Sequence, residues 1–298
     1  MTHPSTAIIG PGAAGQALAQ RLIDSGFFVQ AFIGRNLART KVAAERLGVP
    51  YATDFVGDLP TGIRLVLCCV PDDALPDVAE DLAAITGHPW SETAVAHVSG
   101  AVPASVLDPV AQRGALTFGF HPVQSFGRNR LAVFDGVVAG IEGTERAAAY
   151  GQALALHLGL KAVVIPAEAK ARYHLAASVA SNFSVTVASL ATEILHSIGL
   201  DPEAGMELLR PLLAGTFANL AEARPEDALT GPIVRGDRET VARHAEAVRH
   251  HLPHLAPALA ALMNETVRVA VRAGRLDLHD ADALLGIVES MVERGKSG

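Results

Sequence analysis

The chain has 298 residues, half of them hydrophobic, and a formal net charge of −7 at pH 7. This length favours two domains over one, and the mild negative charge argues against nucleic acid as a partner. The two cysteines, Cys68 and Cys69, are adjacent and cannot cross-link distant segments. Since the N-terminus also has no signal-peptide pattern, we expect a cytoplasmic protein.

The sequence predicts no membrane partner, because it contains no uninterrupted apolar run of about 18 residues. The nearest stretch, Leu175–Leu195, is broken by several serines, Asn182 and Thr186. We predict that this stretch is a buried helix, with a subunit interface as one candidate location.

Strand-like and helix-like segments alternate through the first half of the chain, a pattern typical of a doubly wound, mainly parallel α/β (Rossmann) sheet. Strands are predicted at Ala7–Ile9, Phe28–Ile33, Leu65–Val70, Ala94–Val98, Thr117–Phe120, Val137–Ile141 and Ala162–Ile165. Helices are predicted between them at Ala14–Ser25, Leu37–Leu47, Leu75–Ile85, Pro103–Arg113 and Glu145–Leu158.

After Pro166 the sequence becomes rich in alanine and leucine at helical spacing, without a convincing strand. We therefore predict a cofactor-binding domain over residues 1–166 and an all-helical domain of about six helices over residues 167–298. The apolar faces of the helical domain predict a homodimer formed through it, with a small-molecule substrate as the other partner.

The first predicted strand leads into a loop with the G-x-G-x-x-G spacing of dinucleotide sites. In such sites the glycines permit a tight turn, close approach of a pyrophosphate and close packing of the helix on the sheet. The phosphates would bind at the helix N-terminus, where the dipole favours negative charge. The alternative is a glycine-rich turn that binds nothing. The predicted cofactor-binding residues of this loop are Gly10, Pro11, Gly12, Ala13, Ala14 and Gly15.

The end of the second strand predicts the choice between NAD and NADP. An acidic residue there would bind the ribose 2′-hydroxyl of NAD, whereas arginine accommodates the 2′-phosphate of NADP. The sequence has Arg35 and Asn36 at this point and no acid, and Arg39 and Lys41 follow. We predict NADP(H), bound mainly by Arg35 with Asn36 beside it. The alternative is that these cations are a solvated helix start.

Three further strand ends lie on the rim where ligands bind in such sheets. Val70 and Pro71 are predicted to contact the cofactor, and Asp72 and Asp73 after them to serve as N-caps and first-turn acids of a helix. Ser99 and His121 follow the next two strands, and we predict that both take part in the site. For each, the alternative is a structural turn or hydrogen bond.

A polar stripe marks the first helix of the second half. His174, Ser178 and Asn182 are spaced i, i+4, i+8 and would share one helical face. Burying such a stripe is costly unless it meets partners or a ligand. We predict that His174 transfers a proton and that Asn182 orients the substrate. The alternative is a satisfied helix–helix interface. No metal site is predicted.

Taken together, these motifs resemble a family of uncharacterised Rossmann-like NADP oxidoreductases whose helical C-terminal domain has no known function. They are relatives of ketopantoate reductase, pyrroline-5-carboxylate reductase and the deazaflavin-dependent NADP oxidoreductases. The resemblance extends over nearly the whole chain. It rests on the glycine loop, Val70–Leu75, His97–Ala101, His121–Phe126, Tyr173-His174, Ala180–Asn182 and Leu229–Asp237.

The resemblance implies a catalytic lysine on the first interdomain helix, followed by asparagine one or two turns later. This helical face instead presents His174, Ser178 and Asn182, so His174 would take the role of the lysine, with Lys170 as the reserve candidate. We predict an NADP(H)-dependent oxidoreductase acting on a small carbonyl or imine compound between the domains. The alternative is a non-catalytic NADP-binding sensor or partner-binding protein.

Overall fold

The computed structural model describes residues 4–127 and 133–292. The chain forms two compact units, Met1–Ser181 and Asn182–Gly298, and each is described by itself. The strands are β1 (Thr6–Ile9), β2 (Val29–Ile33), β3 (Tyr51–Thr53), β4 (Leu65–Cys68), β5 (Ala94–His97), β6 (Leu116–Pro122), β7 (Val138–Gly143) and β8 (Lys161–Val164). The first unit also contains helices α1 (Ala13–Asp24), α2 (Leu37–Leu47), α3 (Leu75–Ala84), α4 (Asp108–Ala111), α5 (Glu145–His157) and α6 (Lys170–Ser178).

The strands of the first unit form one sheet in the order β3-β2-β1-β4-β5-β6-β7-β8. Neighbouring strands are parallel except for β6 and β7, which are antiparallel. The chain moves outward from β1 to β2 and β3, then returns to add β4 on the other side of β1. This reversal creates a switch point at the carboxyl end of β1, where ligands bind in doubly wound sheets.

Both faces of the sheet are covered, because strand side chains alternate between two apolar cores. Ile8 contributes to the core under α1 and α5, whereas Ala7 and Ile9 contribute to the core under α3. Leu18 and Leu22 of α1 are fully buried on the first face. The predicted doubly wound, mainly parallel sheet is therefore confirmed.

The second unit is helical over its described residues, as predicted. Its helices are α7 (Ser184–His196), α8 (Pro202–Glu222), α9 (Pro225–Ala228), α10 (Arg238–His251), α11 (Ala256–Arg272) and α12 (Leu278–Glu289). Val241, Val267 and Leu284 from α10, α11 and α12 are at most 1% exposed and form the centre of its core.

Two local predictions differ from the structure. The short strand β3 was not predicted, because three residues are too few to show a clear alternation. The helix predicted at Pro103–Arg113 is instead a 3₁₀ turn, Ala104–Leu107, followed by the single α-helical turn α4. Pro109 in that turn has no amide hydrogen to continue a helix from the preceding residues.

The predicted boundary after residue 166 marks where helices replace strands, but α6 belongs to the first compact unit. The helical run Ala167–His196 has the length and composition of a membrane-spanning helix, a test that core helices of soluble proteins also pass. The prediction that Leu175–Leu195 is buried is wrong for the single chain, since none of the most apolar window of that run is buried.

Candidate active site

The glycine loop connects β1 to α1 at the switch point of the sheet, and two of its glycines are required by the fold. Gly10 has a φ of +86°, which disfavours other residues, and a Cβ there would lie 2.6 Å from the Cys69 carbonyl oxygen. A Cβ on Gly15 would overlap the Gly10 carbonyl oxygen. These two positions therefore need glycine with or without a ligand.

Gly12 is different, because a Cβ at this position would meet nothing within 4 Å. Its φ of −77° is accessible to any residue, and Gly12 is exposed to solvent. The helix that follows has no side-chain cap and no acidic residue in its first turn. The amides of Ala13 and Ala14 have no backbone acceptor within the described residues. An open approach to uncompensated helix amides fits a pyrophosphate group.

The loop opens onto a groove of about 650 Å³ that extends from β1 across β2 and β4. Val70 and Pro71 line it, as predicted cofactor residues should, together with the loop itself. Other lining residues are Ile33, Gly34, Arg35, Asn36, Arg39, Thr40, Asp54, Phe55, Asp77 and Asp81. The groove has the size and position for the nucleotide half of a dinucleotide.

Arg35 lies at the mouth of this groove, directly after Gly34 at the end of β2. Its side chain is exposed and forms no hydrogen bond or ion pair within the described part of the chain. Asn36 is the N-cap of α2, because its Oδ1 atom accepts a hydrogen bond from the Arg39 amide at 3.0 Å. Asn36 therefore has a structural role, and Arg35 is the residue placed to meet a phosphate.

Asp72 and Asp73 give no side-chain cap, so the predicted N-cap role is wrong, but both are acidic residues of a first helical turn, as predicted. They form a 3₁₀ turn before α3, and neither this turn nor α3 has a side-chain cap. The Asp72 carboxylate instead acts through its charge, which raises the pKa of His121 and of Lys170 against the larger effect of burial.

Ser99 follows β5, and four hydrogen bonds fix its position. Its hydroxyl oxygen accepts hydrogen bonds from the Ala101 and Val102 amides, at 3.1 and 3.0 Å. Its amide donates to Nδ1 of His97 at 3.2 Å, and its carbonyl oxygen accepts from Nζ of Lys170 at 3.2 Å. The hydroxyl hydrogen remains available to a ligand, and the backbone beneath it is held rigidly.

Lys170 is only 3% exposed, and Nζ lies 3.7 Å from the Glu142 carboxylate. That carboxylate also accepts a hydrogen bond from the Ala104 amide at 2.5 Å. Burial lowers the pKa of Lys170, and the Glu142 and Asp72 carboxylates oppose this shift. Lys170, the reserve candidate for the role of the catalytic lysine, therefore lies beside Ser99. Glu142 was missed, because nothing in an isolated strand sequence indicates a buried partner.

His121 and His174 come together over Gly100. The centroids of their rings are 6.0 Å apart, and a Cβ on Gly100 would lie 2.6 Å from His174 Cδ2 and 2.8 Å from His121 Cε1. Tyr173, which was also missed, contacts His121 from the other side, with 2.9 Å between its hydroxyl oxygen and Nδ1. Glycine at position 100 allows two imidazoles to share the edge of the sheet.

His121 in β6 and His97 at the end of β5 are both kept neutral. Burial lowers the pKa of His121 to about 4, assisted by the charges of His174 and Lys170. Burial lowers the pKa of His97 to about 3, and the charge of Lys170 adds to this effect. Among the described residues, the buried Nε2 atom of His97 has no hydrogen-bond partner.

Asn182 does not continue the stripe predicted from His174 and Ser178. A π-helical turn at Val179–Phe183 changes the helical phase, so the α-helical spacing that predicted a shared face does not apply. Asn182 also begins the second compact unit, whereas His174 belongs to the first. The described residues include no group of three or more histidine, cysteine or acidic side chains able to hold a metal ion.

A doubly wound sheet with this loop at its switch point, followed by helices, defines the class of Rossmann-like proteins. The family profile described as a Rossmann-like domain matches residues 2–122, and that of a domain of unknown function, DUF2520, matches residues 137–268. These two matches confirm the resemblance predicted from the sequence, to a Rossmann-like domain followed by a domain of unknown function.

Solved structures share this fold over most of the chain. A putative NADP oxidoreductase from Bacteroides fragilis is 22% identical with a TM-score of 0.72, over 90% of this chain and 99% of that one. A protein from Thermotoga maritima is 28% identical with a TM-score of 0.67, over 88% and 98%. The pyrroline carboxylate reductase of Plasmodium falciparum with NADP bound is 12% identical with a TM-score of 0.55, over 98% and 100%.

One curated relative also matches over a short segment. Glucose-fructose oxidoreductase domain-containing protein 2 of Xenopus laevis is 31% identical over 70 residues, or 24% of this chain. The match covers only 18% of that relative's length.

We predict that neutral His97 makes the first unit sensitive to acid. Its folded-state pKa is about 3 against 6.5 in the unfolded chain, so only the unfolded state binds a proton as the pH falls below 6.5. Stability is therefore lost progressively between about pH 6.5 and pH 3. From pH 7 to pH 5 this histidine alone should lower the free energy of unfolding by roughly 2 kcal/mol.

The measurement is urea unfolding followed by the fluorescence of Trp90, the single tryptophan, which is buried in the first unit. His97→Gln should lose less stability between pH 7 and pH 5 than the wild type does. Substitution of the exposed His196 by glutamine is the control. An equal loss in wild type and His97→Gln would contradict the assignment.

Proposed function

We propose that this protein is an NADP(H)-dependent oxidoreductase that transfers a hydride between the nicotinamide and a small carbonyl or imine substrate. The observation that carries this proposal is Gly12, the one glycine of the loop that the fold itself does not require among the described residues. Its open side, at a helix end without a cap, is what a bound pyrophosphate needs. The NADP-bound reductase of the same fold supports the choice of cofactor.

The residues around the groove have separate roles in this proposal. The amides of Ala13, Ala14 and Gly15 hold the pyrophosphate, and Arg35 holds the 2′-phosphate. When bound, the cofactor supplies or accepts the hydride. Ser99 and His121 hold the substrate by hydrogen bonds, and His174 transfers the proton. The role predicted for Asn182 stays a prediction from the sequence.

Lys170 weighs against the alternative of a non-catalytic sensor, which rested on the missing lysine. The ammonium group is buried with Glu142 and bonded to the Ser99 carbonyl oxygen. A buried ion pair is costly to desolvate. The presence of this pair beside Ser99 therefore favours a role in positioning the site. An enzyme needs such rigidity at Ser99 more than a sensor does.

We also propose that the second unit forms the interface of a homodimer. Several large apolar side chains of this unit are exposed in the single chain, a pattern typical of protein interfaces. The most exposed are Ile198 at 72%, Val185 and Leu278 at 71%, and Leu212 at 65%.

We predict that Gly12→Val weakens NADPH binding and leaves the fold intact. The added side chain enters open space in the free protein but occupies the approach of the pyrophosphate. A steric cost of about 1–3 kcal/mol corresponds to roughly 10- to 100-fold weaker binding. The measurement is NADPH titration by calorimetry, with thermal unfolding as the check on folding.

Gly62→Val is the matched control, because Gly62 is exposed and also has nothing within 4 Å of its Cβ position. Equal NADPH affinities for Gly12→Val, Gly62→Val and the wild type would contradict the cofactor site.

We predict that Arg35→Ala removes the preference for NADPH over NADH. A hydrogen-bonded charge pair is worth about 1.5–3 kcal/mol, so NADPH affinity should fall roughly 10- to 100-fold while NADH affinity changes little. The control is Lys41→Ala, which removes a cation from α2 that does not line the groove. NADPH affinity that does not respond to Arg35→Ala would contradict the assignment.

We predict that His174→Ala lowers kcat by at least about 100-fold with NADPH affinity unchanged, because a general acid contributes that much or more. Oxidation of NADPH is followed with a panel of aldehydes, ketones, 2-oxo acids and cyclic imines. Turnover equal to that of the wild type would exclude His174 as the proton donor. Tight NADPH binding without turnover of any panel member would favour the sensor.

A further inference from the structure

The contact between Tyr173 and His121 determines which nitrogen of the histidine carries a proton. The Tyr173 hydroxyl oxygen and His121 Nδ1 are 2.9 Å apart. The same hydroxyl packs against the backbone of Gly140, since a Cβ on Gly140 would overlap its oxygen. Within the described residues, Nδ1 of His121 is the acceptor in place for the hydroxyl hydrogen. When the phenol donates to Nδ1, that nitrogen cannot also carry a proton.

The protonation states of both groups are consistent with this direction. Burial raises the pKa of Tyr173 to about 12, so the phenol keeps its hydrogen at neutral pH. Burial and nearby positive charge keep the imidazole of His121 neutral at the same pH. A neutral imidazole has one N–H, and when Nδ1 accepts a hydrogen bond the proton is on Nε2.

The other edge of the His121 ring faces the candidate site. Nε2 lies 2.9 Å from the position that a Cβ on Gly100 would occupy, and Cδ2 of His174 lies 2.6 Å from the same point. The Nε2–H group is thus presented beside the proposed proton donor, at the carboxyl edge of the sheet.

We propose that Tyr173 holds His121 as its Nε2–H tautomer, and that this N–H group donates a hydrogen bond to the oxygen of a carbonyl substrate. This inference rests on the proposed function and narrows it to the carbonyl class. An imine accepts hydride as its protonated iminium, whose nitrogen has no lone pair to accept an N–H hydrogen bond. A carbonyl oxygen accepts this bond, and accepts it more strongly as negative charge develops on it.

The reduction balances with the groups present and NADPH as the reductant. The carbonyl carbon gains a hydride as NADPH is oxidised to NADP⁺, and the π-electron pair moves to the oxygen. His121 stabilises that oxygen through Nε2–H and keeps its own proton. His174 as imidazolium gives the oxygen a proton, which completes the alcohol, and is reprotonated by solvent.

Tyr173 is therefore a positioning residue, and Gly140 leaves the space that its hydroxyl group occupies. A Cβ on Gly140 would overlap the Tyr173 hydroxyl oxygen. The strand position beneath the tyrosine thus needs glycine because of this contact.

The test is nuclear magnetic resonance of the protein labelled with ¹⁵N-histidine, with His121 assigned by the signal that His121→Gln removes. In the wild type we expect His121 with an unprotonated Nδ1 and a protonated Nε2. Tyr173→Phe should give a mixture of tautomers, and Gly140→Ala, which displaces the hydroxyl without removing it, should do the same. Tyr150→Phe, which removes a phenol that contacts Phe118, should leave the spectrum unchanged.

A protonated Nδ1 in the wild type, or a His121 spectrum that does not respond to Tyr173→Phe, would overturn the tautomer assignment. These spectra need no turnover, so their outcome is separate from failure of the proposed function, which is read from NADPH binding and oxidation.

The substrate class is tested with the wild type and Tyr173→Phe. We expect NADPH oxidation with aldehydes or ketones and not with cyclic imines. We also expect Tyr173→Phe to lower kcat roughly 10- to 100-fold, the value of one hydrogen bond to a developing charge, with NADPH affinity unchanged. Reduction of cyclic imines without reduction of any carbonyl compound would overturn the substrate assignment.

Discussion

The close approach of α6 to the ends of β6 and β7 is the constraint on which the candidate site depends. A Cβ on Gly119 would lie 2.9 Å from Nζ of Lys170, and a Cβ on Gly140 would overlap the hydroxyl of Tyr173. Two glycines on paired strands therefore let one helix bring two long side chains down onto the sheet. This contact explains why α6 belongs to the first compact unit, although the helical part of the sequence begins with it.

The ion pair between Lys170 and Glu142 is costly to bury, and its hydrogen bonds indicate what it contributes. Desolvation of two charges exceeds their attraction unless the remaining donors and acceptors are satisfied. Here the Ser99 carbonyl oxygen and the Ala104 amide supply the additional partners. The pair thereby ties the segment after β5 to both β7 and α6, and it places positive charge beside His97 and His121, where it helps to keep them neutral.

The sequence indicates the fold well because the alternation of strands and helices is a local pattern. It also indicates Ser99, His121 and the glycine loop, since the carboxyl ends of neighbouring parallel strands share one edge. Glu142, Lys170 and Tyr173 are different, because their meeting depends on the depth at which α6 packs. Local irregularities are also hard to foresee: Asp72 lies in a 3₁₀ turn without a side-chain cap, and a π-helical turn interrupts the α-helical spacing before Asn182.

Because of the same packing, the groups that donate hydrogen bonds at the proposed hydride acceptor site carry no net charge. Lys170 is compensated by Glu142, and His121 and His97 are uncharged at neutral pH. A neutral N–H fixed by Tyr173 does not reorganise when negative charge develops on an oxygen, and in a partly buried site such a bond is stronger than in water. The buried pair of Lys170 and Glu142 therefore fixes Ser99, while the charge of Lys170 helps to keep His121 neutral.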